Sequence, residues 1–464
     1  MSRKFRTANY EETLNQTIRL GDALPPDHLA RFVVEIVAQL DLGRIYGQYA
    51  PVGGEPFAPE ILLGLLFYGY ATGVFSSRKI EKATYESIPF RFIAGGLHPD
   101  HDTIAHFRKT FLAEIHELFV QILLVAQAAG MLKLGNLSLD GSKIHADASK
   151  SHAVSYGRLV ELEVALKQEV QELLSLGEQA DQGEVALPEG LVLEDELNLR
   201  QERLVNLAQA RKVLEERASE RYAAEKAEYE AKMKERTKKA RKRHHPRHGG
   251  HKPKGRPPQP PEPGPREKDQ YNFTDPDSRI MKNSSNDGFD QHYNVQVAAD
   301  QESLLIVAPA LSNHPNDKQE ALPTLNALPA EIGKPAAVAM DNGYFSEANI
   351  QACKKLGIEP YIATGREPHH LDWHTFFQQQ PEPPADEASP IVKMAYKLQT
   401  EIGQAIYRLR KSTVEPVIGI IKEILGFRQF SLRGLRAAAG EWCLVCLAFN
   451  LKRMHSLYLE QGLL

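Results

Sequence analysis

Cysteine is scarce: Cys353, Cys443 and Cys446 are the only three in 464 residues. Three thiols cannot build a disulfide framework, so a small bridge-stabilised secreted fold is excluded and a cytoplasmic protein is expected. Long apolar runs are lacking too. The best stretch near the start, Ile61 to Tyr70, is too short and too interrupted to span a bilayer. The opening MSRKFRTANYEE stays polar where a secretory leader needs an apolar core. No membrane partner is expected. The chain also lacks a charge excess of either sign: 56 Lys and Arg face 60 Asp and Glu, a net charge of −4. Global charge therefore gives no hint of nucleic-acid binding, and local segments must decide. What remains is a long, ordinary globular chain with room for two or three modules.

The first 130 residues read as short helices. Leu29 to Leu42 carries apolar residues at helical spacing after Pro25-Pro26-Asp27. Glu60 to Tyr70 follows Pro59, and Ser77 to Ser87 follows in turn. Ile88-Pro89 breaks the pattern. A further helix begins at Ile104, with Asp102 or Thr103 as its cap. Arg78, Lys79, Arg108 and Lys109, placed near helix starts, suit a helix-turn-helix type of DNA-binding domain. A plain helical bundle with solvated basic residues fits the same pattern.

After Asp147 the composition shifts. Leu159 to Leu176 and Asp195 to Arg243 are rich in Glu, Lys, Arg, Ala and Leu, with Leu204, Leu207 and Leu214 at helical spacing. A helical hairpin or coiled-coil insertion is expected, divided by a loop around Gly183 to Gly190. Its end, Lys232 to Pro265, is a basic Pro/Gly-rich tract opposed only by Glu235 and Glu262. Such a tract cannot build a core, reads as a disordered linker, and suits phosphate backbones. His244, His245, His248 and His251 have cationic neighbours and no nearby cysteine, which argues against a zinc site. Cys443 and Cys446 have CxxC spacing but fall in the helical run Ala437 to Leu451, where they read as core.

From Tyr271 the chain turns β-rich. Tyr293 to Ala299 and Leu304 to Leu311 read as adjacent strands, followed by a helix from Asp317 to Leu328. Ala336 to Met340 is an apolar strand running into Asp341-Asn342-Gly343-Tyr344. Ser346 to Leu356 reads as a helix and Glu359 to Ala363 as a strand. An earlier strand completes a mixed α/β sheet: in Leu137 to Asp147, LSLDGSKIHAD, Leu137 and Leu139 lie on one side, Ser138 and Asp140 on the other. Gly141 and Ser142 follow, and Lys143 to His145 resumes the extended pattern. Asp140 can be a turn-forming residue before glycine, or a carboxylate that needs a partner or a metal. A third acidic position lies in Tyr407 to Gly434, where Ser412 or Thr413 is expected to cap a helix with Glu415 and Pro416 in its first turn. Glu415 and Lys422, seven apart, then share a face. Glu423 points off that face, so Glu415 is the acidic residue chosen.

The stretches around Asp140, Asp341 and Glu415 resemble those of bacterial insertion-sequence transposases of the DDE class. EPFAPEILLGLLFYGY and HDTIAHFRK look like that family's N-terminal region, LSLDGSKIHADAS and AVAMDNGYFSE like its two aspartate strands, and VEPVIGIIKEILGFRQFSLRG like its glutamate helix. One branch carries a Tyr-Arg-Glu-Lys signature. Glu415 and Lys422 keep its gap of six residues, whereas Arg410 lies one residue too far from Glu415 and Lys411 has the expected spacing, with Tyr407 nearby.

The resemblance implies a ribonuclease-H-like mixed sheet with flanking helices over 131–152 and 271–464, preceded by a helical DNA-binding domain (1–130) and interrupted by the insertion and linker (153–270). It implies a metal-dependent enzyme that cleaves transposon ends and joins the 3′-OH to target DNA. Asp140, Asp341 and Glu415 would hold two Mg²⁺ (or Mn²⁺) ions. Tyr407, Arg410, Lys411 and Lys422 would hold phosphates. Double-stranded DNA, as terminal inverted repeats and as target, is the implied partner, bound by a homodimer at the bacterial nucleoid. A DNA-binding relic without catalysis and a nuclease that does not join strands are the alternatives. Asn342, Tyr344, Asp147, Asp275, Asp277, Arg279 and Lys282 are weaker candidates near the sheet, for DNA contact, for metal ligation (Asp147), or for packing and turns.

Overall fold

Strands carry the architecture. In chain order they are β1 (Asn136–His145), β2 (Ala153–Ser155), β3 (Gln270–Asn272), β4 (Arg279–Lys282), β5 (Phe289–Asp300), β6 (Ile306–Ser312), β7 (Ala337–Met340) and β8 (Glu359–Ile362). This computed structural model describes residues 19–50, 54–188, 190–242, 256–283, 288–365 and 382–462. His244, His245, His248, His251 and the middle of the basic tract lie outside the described residues. The chain divides into two compact units, Met1–Asp147 with Met281–Leu464, and Ala148–Ile280.

The first unit holds a mixed sheet in the order β4-β5-β1-β7-β8, with β6 also paired to β5. β5 runs antiparallel to β1 and β6, while β1, β7 and β8 run parallel. Parallel neighbours need a crossover, and the helix Glu347–Leu356 supplies it between β7 and β8. The expected interruption at Gly141-Ser142 does not occur. β1 pairs with β5 from Leu137–Asp300 to His145–His292 in one unbroken register, so the ladder holds the glycine extended. Leu137 and Leu139 are fully buried, each contributing about 1.5–3 kcal/mol of apolar burial.

Register sets where the polar residues emerge. β7 accompanies β1 only from Asn136–Ala337 to Leu139–Met340. Asp140 is thus the first residue of β1 beyond its parallel neighbour, and Asp341 the first residue after β7. The expected helix from Asp317 is shorter, a 3₁₀ turn Asp317–Gln319 followed by Ala321–Asn326.

The helix Leu435–Glu460 is buried around most of its surface between Ala438 and Met454, as befits a helix that is apolar on all sides. Cys443 and Cys446 lie in it, both buried, with burial pushing the Cys443 thiol up to about 12. Asn450 accepts from the N–H of Ile306 at 2.8 Å and donates to its carbonyl at 2.7 Å, satisfying a stretch of β6. The helices Pro59–Ala71 and Leu112–Ala128 pack on this core helix. Pro89 is tolerated as the second residue of a short helix, Ile88–Ile93, because the first turn needs no donor there. No single helix among the described residues is long and apolar enough to cross a membrane.

The helix His101–Thr110 is capped by Asp100, whose Oδ1 accepts from Thr103 N at 2.8 Å, rather than by Asp102 or Thr103. This places Arg108 and Lys109 in its last turn, not near its start. Arg108 is also buried. Its Nη1 donates to the Tyr70 hydroxyl at 2.8 Å and to the Phe75 carbonyl at 3.2 Å. Tyr70 donates onward to the buried Glu441, which also accepts from the N–H groups of Ser431 and Leu432 at 2.9 Å. Arg108 is therefore a core cation rather than a phosphate contact, whereas Arg78, Lys79 and Lys109 are exposed.

In the second unit the helices Tyr156–Asp181 and Leu193–Lys242 lie antiparallel, with Arg211 paired to Glu163 at 3.0 Å and Arg200 to Glu169 at 2.8 Å. Leu159, Leu166, Leu207, Ala210 and Leu214 form their core with Val154 and Tyr271. β2 and β3 pair antiparallel, bringing the two ends of the segment together. Asp275 is buried here, and Arg279 donates to the carbonyls of Pro276, Asp277 and Ser278, so neither side chain presents a free charge.

Replacing Arg108 by alanine strips charged hydrogen bonds from buried partners, a cost of roughly 2–3 kcal/mol. Lys109→Ala should leave stability within about 0.5 kcal/mol. Urea midpoints that are equal for the two variants would contradict this placement.

Candidate active site

Asp140 is the pivot. Its carboxylate sits at the carboxyl end of the parallel pair, the position where open α/β sheets receive ligands. Oδ1 accepts the N–H of Gly141 at 2.8 Å and Oδ2 accepts from Arg410 Nη1 at 3.0 Å. Burial pushes its carboxyl up to about 6, partly offset by Arg410 and by the Gly141 N–H, while the charges of Asp341 and Asp317 push it further up.

Asp341 caps the 3₁₀ turn Asn342–Tyr344, with Oδ1 accepting from Gly343 N at 2.8 Å. Burial raises its carboxyl as well, against the Gly343 hydrogen bond and the charge of Arg410. Tyr344 is fully buried and donates to Gln296 Oε1, so its role is packing beneath the turn, while Asn342 is exposed.

The third position lies on the helix Glu401–Gly419, which begins with Thr400 as its cap, the hydroxyl accepting from Gly403 N. Ser412 and Thr413 do not cap it. Both hydroxyls instead donate back to the Leu409 carbonyl, a local bond that mid-helix Ser and Thr commonly make. Pro416 is inside the helix rather than in its first turn, and a π-helical turn, Ile420–Ile424, follows it. The helix packs on β1, β5 and β7. Gln301 ties it down by donating both to Ser138 Oγ and to the Ile406 carbonyl at 3.0 Å.

Arg410 faces inward from this helix. Its side chain is 8% exposed, and besides Asp140 its guanidinium stands 4.0 Å from Glu415, which is 57% exposed. Burial opposes the Arg410 charge, but Asp140, Tyr407 and Asp341 outweigh it, so its proton is held more firmly than usual. The Tyr407 ring lies 5.9 Å from the guanidinium. Lys411, which matched the expected spacing, is exposed. Lys422, in the π turn, donates to Ser142 Oγ at 3.1 Å and approaches the Lys143 carbonyl at 3.4 Å. Burial lowers its ammonium from the ordinary range.

The other candidates have separate partners. Glu423 pairs with Arg428, and Asp147 with Arg433 at 2.8 Å. Lys282 is exposed, and its carbonyl accepts from Lys143 Nζ at 3.2 Å. Among the described residues no three His, Cys, Asp or Glu side chains stand close enough to hold a metal as they are placed. Sequence reasoning missed Asp317, whose charge reaches both Asp140 and Asp341. Its only signal was a polar run, His314-Pro-Asn-Asp317, that reads as a helix start.

Two family models match the chain. One, described as a transposase domain (DUF772), covers residues 18–110, and the other, described as a transposase DDE domain, covers residues 268–451. No curated protein and no solved structure matches it. The first match defines a transposase, and with the second the chain belongs to the DDE transposases of insertion sequences. Asp341 and Glu415 fall inside the DDE match, whereas Asp140 lies between the two matched stretches.

Because Asp140 titrates higher in the folded protein than its ordinary value, the native state holds a proton that the unfolded chain releases. That stability is complete below about pH 4 and is lost as pH rises through about 6. In metal-free buffer Asp140→Asn should therefore melt above wild type at pH 7, by an equivalent on the order of 2 kcal/mol, with the gap closing toward pH 4. A variant less stable than wild type at pH 7 would contradict this.

Proposed function

We propose that this transposase cleaves transposon ends and joins the 3′-OH to target DNA at a site built from Asp140, Asp341 and Glu415. One observation carries the reading: Asp140 and Asp341 directly follow Leu139 and Met340, the last pair between the parallel strands β1 and β7, and Arg410 pairs with Asp140 and stands 4.0 Å from Glu415. The strand order, with one antiparallel strand between β1 and β6 and three parallel strands beyond, supports a ribonuclease-H-like assignment. The antiparallel helices of the second unit support a coiled-coil reading of the insertion.

The donor set fits a hard divalent cation. Burial raises both carboxylates, the charge of Asp341 raises Asp140 further, and a positive charge relieves both; Mg²⁺ or Mn²⁺ prefers oxygen ligands. Asp140, Asp341 and Glu415 would hold two such ions. When bound, these activate the attacking water or 3′-hydroxyl and stabilise the leaving oxygen of the phosphodiester. The protein's own groups position the strand. Arg410 orients Asp140 and favours its ionised form. Lys422, beside Ser142, is placed to hold a phosphate on the same face of β1, two residues along from Asp140. Tyr407 lies beside Arg410, and Lys411, Arg78, Lys79 and Lys109 offer exposed cationic groups to the backbone of double-stranded DNA. Such contacts fix register without reading bases. The helical segment 1–130 is the DNA-binding domain of this reading, and a homodimer on paired ends its working form.

The test uses full-length protein and a labelled duplex carrying the gene's own flanking ends. Cleaved and joined products are expected with Mg²⁺ or Mn²⁺, absent with chelator, and reduced at least a hundredfold in Asp140→Asn, Asp341→Asn and Glu415→Gln. Cleavage without joined product would assign a nuclease. Binding with no cleavage in the wild type would leave a DNA-binding relic.

A further inference from the structure

A fourth carboxylate lies behind this site, on the other face of β1. After β6 the chain turns at Asn313 to Asn316 and sets Asp317 against the backbone of β1. Asp317 Oδ1 accepts from Asn294 Nδ2 at 2.9 Å and from Gln296 Nε2 at 2.7 Å. Asn294 and Gln296 are alternate residues of β5, both buried, and pair with Lys143 and Gly141 across the ladder. Gly141 is what allows the approach. A Cβ there would come within 2.7 Å of Asp317 Oδ1 and collide with the Gln296 amide, and a glycine inside a strand commonly marks such a close approach.

The same amide leads to Asp341. Gln296 Oε1 accepts from the Tyr344 hydroxyl, and Tyr344 closes the turn that Asp341 caps. Asn349 Nδ2 then joins the two turns, donating to the Tyr344 carbonyl at 2.7 Å and to the carbonyl of Lys318, the residue after Asp317, at 2.9 Å. Three buried amides and a buried phenol thus hold one aspartate under Gly141, the residue after Asp140 and on the opposite face of β1, and fasten it to the Asp341 turn. A solvated turn residue would need none of them. The arrangement resembles the hydrogen-bonded outer shell that orients metal-binding side chains and raises their affinity.

Building on the proposed cation site, we infer that Asp317 is its positioning residue, adding a fixed negative charge under Gly141, on the face of β1 opposite to Asp140, and holding the Asp341 turn through Gln296 and Tyr344. Asp317→Asn keeps the side-chain shape and an acceptor oxygen but removes the charge. Tyr344→Phe keeps the charge but cuts the link to Asp341.

The experiment is Mn²⁺ binding to the full-length protein without DNA, followed by the electron paramagnetic resonance of free Mn²⁺, with circular dichroism as the check on folding. Folded Asp317→Asn should bind Mn²⁺ about tenfold or more weakly than wild type, and Tyr344→Phe more weakly by a smaller factor. Wild-type affinity in folded Asp317→Asn overturns the inference. If that variant does not fold, wild-type affinity in Tyr344→Phe overturns it. Asp140→Asn is the separate control: should it bind Mn²⁺ as wild type does, the cation site itself is wrong, whatever Asp317 does.

Discussion

A carboxylate in the middle of a sheet is costly, and the surroundings of Asp140 are largely an answer to that cost. β1 is covered by apolar packing under Leu137 and Leu139 and, over Ser138 and Asp140, by the helix Glu401–Gly419, which leaves the Asp140 side chain 20% exposed. An isolated ionised group would be neutralised there. The contact from Arg410 keeps the charge tenable, but only partly, since burial still holds the Asp140 carboxyl near 6. On the proposed reading a divalent cation would supply the positive charge that this site is short of. The ion pair alone is weak grounds for stability, because a buried pair can cost as much to desolvate as it returns.

That constraint organises the helix that carries Arg410. Arg410 is buried toward β1, while Glu415, five residues on, lies around the helix and is largely exposed. Pro416 supplies no N–H to the ladder, and the regular α-helix gives way to a π turn four residues later. The extra residue in such a turn rotates the side chains beyond it, and π turns gather at functional positions. Here it brings Lys422 over Ser142, so that a cation, a carboxylate and a second cation lie along one helix above one strand.

Much of this was legible in the chain. The strands around Asp140 and Asp341 announced themselves by apolar runs that end in an acid, and the order of elements from Tyr293 to Ile362 followed from local pattern. Four features were not legible. Gly141-Ser142 reads as a turn locally, but the ladder to β5 extends it. Ser412 and Thr413 look like caps, but their hydroxyls bond backward and the helix starts twelve residues earlier, at Thr400. Arg108 looks like a surface cation, and only tertiary packing reveals Tyr70 and Glu441 beneath it. Asp317 escaped for a similar reason, since its significance rests on partners from β1, β5 and the Asp341 turn that no window of sequence contains.

The central claim is that the Asp140 charge, now answered by Arg410, is the seat of a divalent cation shared with Asp341 and Glu415. The most direct measurement is a crystal structure grown with Mn²⁺, with anomalous difference density used to locate the metal. Anomalous peaks are expected against Asp140, with Asp341 and Glu415 as the other protein ligands, and Arg410 displaced from Asp140 Oδ2. Crystals at saturating Mn²⁺ that keep the 3.0 Å contact between Arg410 and Asp140, with no peak beside it, would contradict that claim.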